Sequence, residues 1–175
     1  AKSTMEKLTS SHARIVFISY PNNPTGNCFS RAEIQTLIEN FEGIVVLDEA
    51  YYDFSGQTFI DQMNVHNNLV ILRSLSKIGL AGLRVGYGIF PRVLVDEINK
   101  IRLPYNSNSV TQLAATELLS NFSLVQKQID SIKKERLRLF KELAKIKSII
   151  TYPSDSNFIL FQATENGEKV FRNLM

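Results

Sequence analysis

An α/β fold built on a mainly parallel sheet is what this sequence predicts, and three observations predict it. Short apolar runs rich in β-branched residues recur at Arg14 to Ser19 (RIVFIS), Ile44 to Leu47 (IVVL) and Leu69 to Leu72 (LVIL). Each is closed by polar or turn-forming residues, the pattern of a strand buried on both faces. A helical pattern lies between the first two, and a strand–helix–strand order implies a parallel, right-handed crossover.

The elements follow in chain order. Tyr20-Pro21-Asn22-Asn23-Pro24-Thr25-Gly26 stops the first strand. Ser30-Arg31-Ala32-Glu33 reads as a capping box, with Ser30 accepting from the backbone at Glu33 while Glu33 reaches back. Ile34, Leu37, Ile38 and Phe41 continue at helical spacing, and Gly43 ends the helix. A fourth strand is expected at Val85 to Phe90. Its direction stays open, because the connection through Gly79, Ala81 and Gly82 is too short for a crossover helix. Past Pro91 the pattern turns helical, over Val93 to Ile101, Val110 to Leu119 and a long stretch from Leu124 to Ile146. Val125, Ile129, Ile132, Leu139, Leu143 and Ile146 form one stripe on the long helix, and its lysines and arginines read as a solvated face. Ser148 to Tyr152 and Asn157 to Phe161 read as two short strands before a final amphipathic helix that runs to Met175. Residues 1–103 are expected to form part of one domain. A domain change is expected near residues 91–110.

Composition excludes more than it selects. The 175 residues carry 20 Lys+Arg against 17 Asp+Glu, and a net charge of +3 is too small and scattered to indicate nucleic acid or an anionic membrane as partner. A single cysteine, Cys28, makes no internal disulfide and fits a reducing compartment such as the cytoplasm. No apolar run reaches the roughly 18 residues that span a bilayer. The chain begins at Ala1 and stops within a helical pattern, so it is expected to be a fragment of a longer protein.

The chemistry is positional. Asn23, Asp48 and Lys77 each fall just after an apolar run, and ligands of open parallel sheets gather beyond the carboxyl ends of strands. Taken singly, each residue would be a turn former or a surface charge. Asp48 resists that reading best, since it follows four apolar residues directly, and a carboxylate so deep needs a cation or several donors. No metal is expected: His12 and His66 stand alone, and Cys28 has no partner at ligand spacing. Neither the Gly-x-Ser-x-Gly elbow of serine hydrolases nor a Walker loop nor Gly-x-Gly-x-x-Gly occurs. A lysine beside hydroxyls and an arginine (Ser74, Ser76, Lys77, Arg84) suits a phosphate-bearing carbonyl compound, the lysine condensing with it while Ser and Arg hold the phosphate. An aspartate then keeps a pyridine nitrogen protonated. That combination describes a site for pyridoxal 5'-phosphate (PLP).

Three motifs carry a family resemblance. Tyr20-Pro21-Asn22-Asn23-Pro24-Thr25-Gly26-Asn27, Asp48-Glu49-Ala50-Tyr51 and the run from Ser74-Leu75-Ser76-Lys77 to Arg84-Val85-Gly86-Tyr87 resemble the fold-type I PLP-dependent aminotransferases, above all the histidinol-phosphate aminotransferase branch. Leu103-Pro104-Tyr105-Asn106 and Ser156-Asn157-Phe158-Ile159-Leu160-Phe161 look like that branch too, so the likeness spans nearly the whole chain. It implies the three-layer, mainly parallel sheet of the aspartate aminotransferase-like large domain, with residues 104–175 supplying linking helices and part of a small α+β carboxyl-terminal domain. It also implies a homodimer and an exchange of an amino group between histidinol phosphate and 2-oxoglutarate, in histidine biosynthesis. Lys77 would be the Schiff-base lysine, and Asp48 would pair with the pyridinium nitrogen. Asn23 and Tyr51 would hydrogen-bond the ring hydroxyl oxygen, while Ser74, Ser76 and Arg84 would take phosphate oxygens. The Asn23-Pro24 bond is a candidate cis peptide. The family is about twice as long, with an upstream phosphate-cup loop and a downstream substrate-binding arginine, so this polypeptide is expected not to complete a catalytic cycle alone. Two other readings share the motifs: a PLP decarboxylase of a phosphorylated amino acid, and a PLP-binding effector domain without turnover.

Overall fold

In the computed structural model, residues 7–8 and 11–175 are described, so the start of the expected first domain lies partly outside the described residues. Four strands form one sheet in the order β1-β2-β3-β4: β1 (Ile15–Ser19), β2 (Ile44–Asp48), β3 (Leu69–Ser74) and β4 (Gly86–Ile89). The first three run parallel, with Ser19 opposite Asp48 and Asp48 opposite Leu72. β4 pairs antiparallel with β3, placing Gly86 opposite Ser74, which settles the direction that the sequence left open. β3 also runs two residues further than the apolar run, carrying Ser74 to the carboxyl edge.

Helix α1 (Arg31–Asn40) covers one face of the sheet. Ile34, Leu37, Ile38 and Phe41 pack with Val45, Leu47, Leu69 and Ile71, joined by the buried rings of Tyr20 and Phe59. Gly43 sits where the chain returns to β2, and a Cβ there would lie 2.3 Å from the Arg14 carbonyl oxygen. The expected capping box does not form, because the Ser30 hydroxyl makes no cap hydrogen bond. The first turn is tied down instead by Arg31, which donates to the Thr58 carbonyl at 2.6 Å and to both Asp61 carboxylate oxygens.

β1 is not buried on both faces as expected. Its Val16 and Ile18 pack toward α1, whereas Ile15 is 49% and Phe17 68% exposed on the opposite face. By strand alternation and register, that opposite face also carries Asp48 and Ser74.

A second core joins the sheet's carboxyl edge to the helices that follow. It holds Tyr51 and Phe54 around α2 (Tyr52–Ser55), Leu75 and Ile78 after β3, and Ala115, Val125 and Ile129. The last three come from α4 (Ser109–Ser120) and α5 (Ser123–Leu143), which follow α3 (Arg92–Ile101). Helix α5 ends at Leu143, short of the expected Ile146, and its stripe is buried only at the amino-terminal end, at Val125 and Ile129, whereas Ile132 and Leu139 are exposed. A small antiparallel pair, β5 (Ile149–Thr151) and β6 (Phe161–Ala163), precedes α6 (Gly167–Leu174). The expected strand at Asn157 to Phe161 is thereby corrected: only Phe161 lies in β6, because the chain just before it is engaged with the loop after β1.

Candidate functional site

The carboxyl ends of β1, β2 and β3 bring the expected residues to one edge. Asp48 is the last residue of β2, and its carboxylate Oδ1 accepts from the Ala50 backbone N–H at 3.0 Å. That bond turns the chain so that Tyr51 comes back over the edge, where its ring is buried. Asn23, from the loop after β1, donates its side-chain amide to the Tyr51 hydroxyl at 3.1 Å. Lys77 lies in the 3-10 turn Leu75–Ile78 after β3, and its Nζ stands 5.2 Å from the centroid of the Tyr51 ring. Tyr51 thus connects the loop after β1 to the turn after β3. In the same loop, both the Tyr20-Pro21 and Asn23-Pro24 peptide bonds are cis, the first of them not foreseen.

Ser74 caps the Lys77 turn, its Oγ accepting from the Ser76 N–H at 3.2 Å. Arg84 approaches from the far side of the connection. Its backbone is left-handed at φ 54°, and the Leu75 N–H donates to the next carbonyl, that of Val85, at 3.1 Å. Arg84 is exposed and donates to the Ala81 carbonyl.

These side chains fit PLP by what they leave unused. Among the described residues, neither Lys77 nor Arg84 has an ion-pair partner, and Asp48 Oδ2 accepts no hydrogen bond. Lys77 could offer an amine to an aldehyde, Asp48 a carboxylate to a pyridinium, and Ser74, Ser76 and Arg84 donors to a phosphate. Among the described residues no cluster of three or more His, Cys, Asp or Glu is placed to hold a metal ion.

The deep carboxylate is a different one from that expected. Asp48 is half-buried, whereas Glu49 is 1% exposed. Glu49 accepts from Arg73 at 2.9 Å, from the Thr58 hydroxyl at 2.8 Å and from the Phe59 N–H at 2.9 Å. The Arg73 guanidinium also stacks over the Tyr52 ring at 3.7 Å. Burial works against the Arg73 charge, but the hydrogen bond and charge of Glu49 outweigh it and raise the arginine's pKa. Strand alternation was the available signal, since adjacent acids at a strand end point to opposite faces. Also missed was Phe158, which packs edge-on against Tyr51 with centroids 5.3 Å apart.

The family model for aminotransferases of class I and II matches residues 1–175. The chain is 44% identical over 161 residues to a histidinol-phosphate aminotransferase of Neisseria meningitidis serogroup C, covering 92% of this chain and 44% of that protein. The crystal structure of the histidinol-phosphate aminotransferase from Clostridium acetobutylicum superposes with a TM-score of 0.87 at 27% identity, over 99% of this chain and 54% of that one. The histidinol-phosphate aminotransferase from Sinorhizobium meliloti, solved in complex with pyridoxal-5'-phosphate, shares the fold. Its TM-score is 0.82 at 23% identity, over 94% of this chain and 47% of that one. The chain therefore spans about half the length of the relatives it matches.

Proposed function

Because this chain belongs to the class I and II aminotransferase family, we propose that the whole protein is a PLP-dependent aminotransferase moving an amino group between histidinol phosphate and 2-oxoglutarate. The observation that carries this reading is the convergence of Asn23, Tyr51 and Lys77 beside the half-free Asp48 carboxylate at the strands' carboxyl ends. When bound, PLP supplies an aldehyde for amines and a pyridine ring that withdraws electrons while its nitrogen is protonated. Asp48 holds the proton at that nitrogen. Asn23 and Tyr51 orient the ring through its hydroxyl oxygen, and Ser74, Ser76 and Arg84 take the phosphate. Lys77 would hold the aldehyde carbon and would move a proton at the substrate's α-carbon, a service worth roughly 10²–10⁴-fold in rate. The same reading makes 1–103 part of the large cofactor-binding domain and 104–175 the linking helices and part of the small carboxyl-terminal domain. It takes the protein as a cytoplasmic homodimer.

The test is direct. Mixing the chain with PLP is expected to give a visible absorption band that borohydride fixes as a mass adduct on the peptide bearing Lys77. Lys77→Ala should lose both. An adduct scattered over surface lysines, or one indifferent to Lys77→Ala, would overturn the assignment. With the whole protein, glutamate formed from 2-oxoglutarate supports transamination, whereas carbon dioxide release from a phosphorylated amino acid would move the reading to the decarboxylases.

A further inference from the structure

The segment from Ser154 to Phe158 lies far downstream of the loop after β1, yet it is bound to that loop and to Tyr51. The Asp155 N–H donates to the Gly26 carbonyl at 2.7 Å, and the Asp155 carboxylate accepts from the Cys28 N–H at 3.0 Å across 127 residues of sequence. Gly26 has φ +81°, and a Cβ on it would stand 2.5 Å from Ser154 Oγ, so the two segments meet where only glycine fits. Two residues beyond Ser156, the Phe158 ring meets the Tyr51 ring at 81°. The segment is itself held from behind, because Arg136 of α5 donates to the Ser156 carbonyl at 2.6 Å. One short stretch therefore holds both the loop that carries Asn23, at Gly26 and Cys28, and the ring of Tyr51, its hydrogen-bond partner.

We infer that Phe158 is a positioning residue for the Asn23–Tyr51 pair: its edge-on contact fixes the plane of the Tyr51 ring and so the place where the two polar groups meet the cofactor's ring oxygen. The inference rests on the PLP reading for its functional consequence, but the brace itself is a property of the unloaded chain. Removing the ring takes away that edge contact and loosens the plane in which Tyr51 presents its hydroxyl to Asn23.

Two variants and two measurements test this. Phe158→Leu keeps apolar volume and loses the ring; Phe158→Tyr keeps the ring. In the unloaded chain, Phe158→Leu is expected to speed amide exchange in residues 22–28 and 51–52 by roughly three- to tenfold, the range one aromatic pair sustains. Exchange in α1 should stay unchanged. PLP affinity, read from the visible band, is expected to weaken by a similar factor, and Phe158→Tyr should restore both. Unchanged exchange, a uniform rise that includes α1, or no rescue by tyrosine would overturn the inference. So would full PLP affinity in Phe158→Leu when the parent chain loads on Lys77. If the parent chain takes no PLP on Lys77, the cofactor reading fails instead, and the exchange result alone decides whether Phe158 positions the pair.

Discussion

Asp48 and Glu49 are chain neighbours with opposite surroundings: one keeps a carboxylate oxygen open at the strand edge, the other is buried and fully engaged by Arg73, Thr58 and Phe59. The Asp48 partner within the fold is a backbone N–H, which an asparagine oxygen accepts equally well. Asp48→Asn should therefore leave the melting temperature unchanged while weakening PLP binding about 10- to 100-fold, the value of a hydrogen bond to a charged group. A melt that drops together with affinity would mean that the carboxylate serves the fold. The loop that carries Asn23 adds a pH dependence. Burial first, and the neighbouring Asp155 charge second, push the Cys28 thiol from 9.0 to about 12. Burial, and then Cys28, push the Tyr20 hydroxyl from 10.0 to about 12. Both groups prefer to stay protonated in the folded chain. Their contribution is complete below about pH 9 and is lost as pH climbs toward 12. Urea midpoints should accordingly fall across that window in the parent chain, and fall less in Cys28→Ser. At pH 8 the thiol should react with a disulfide reagent far more slowly than the unfolded chain does. Of these residues, Asn23, Asp48, Tyr51 and Lys77 could be placed at one edge from sequence because each stands at or just past a strand end within a motif. The Glu49–Arg73 pair was not read, although alternation separates two adjacent acids, because its partners Arg73, Thr58 and Phe59 come from distant segments.

Strands were the most readable elements, because continuous β-branched runs have few other uses. Their ends were less so: β3 gained Arg73 and Ser74 from pairing with β4, a contact invisible in the run itself. The capping box failed for a related reason. Its sequence was present, but the long-range bonds of Arg31 to Thr58 and Asp61 hold the first turn of α1. The second strand of the β5–β6 pair was misplaced because residues 154–158 are claimed by contacts more than a hundred positions upstream. Long-range competition, not weak propensity, explains these differences. Gly43 shows the same principle in a testable form. It was read as a helix stop, but it is the point where the chain passes against the Arg14 backbone. Gly43→Ala is expected to cost about 1–3 kcal/mol, since backbone cannot step aside as a flexible side chain does. Chemical denaturation measures this, and a neutral outcome would mean that the crossing opens without penalty.

Across the molecule, apolar side chains are unevenly covered. Val93, Ile101, Leu103, Tyr105, Val110 and Leu113 are each more than 70% exposed, all from α3 through α4. Isolated exposed apolar residues are ordinary, but so many within one stretch of chain are material that a partner surface could cover. The homodimer proposed above gives that surface a use. Sedimentation of the chain should reveal concentration-dependent dimers that a paired Leu103→Ser and Val110→Ser variant loses; monomers throughout, in both, would leave the dimer without this basis. The opposite, uncovered face of the sheet has its own consequence. Phe17 and Asp48 lie on it one strand apart, with Ser19 the register partner of Asp48. Any layer that dries the phenyl ring also strips water from the neighbourhood of the acid, lowering the local dielectric and strengthening its attraction for a cation. In the proposed pairing, the grip of this carboxylate on a positive ring would be set partly by how well a hydrocarbon two residues before its strand partner is roofed.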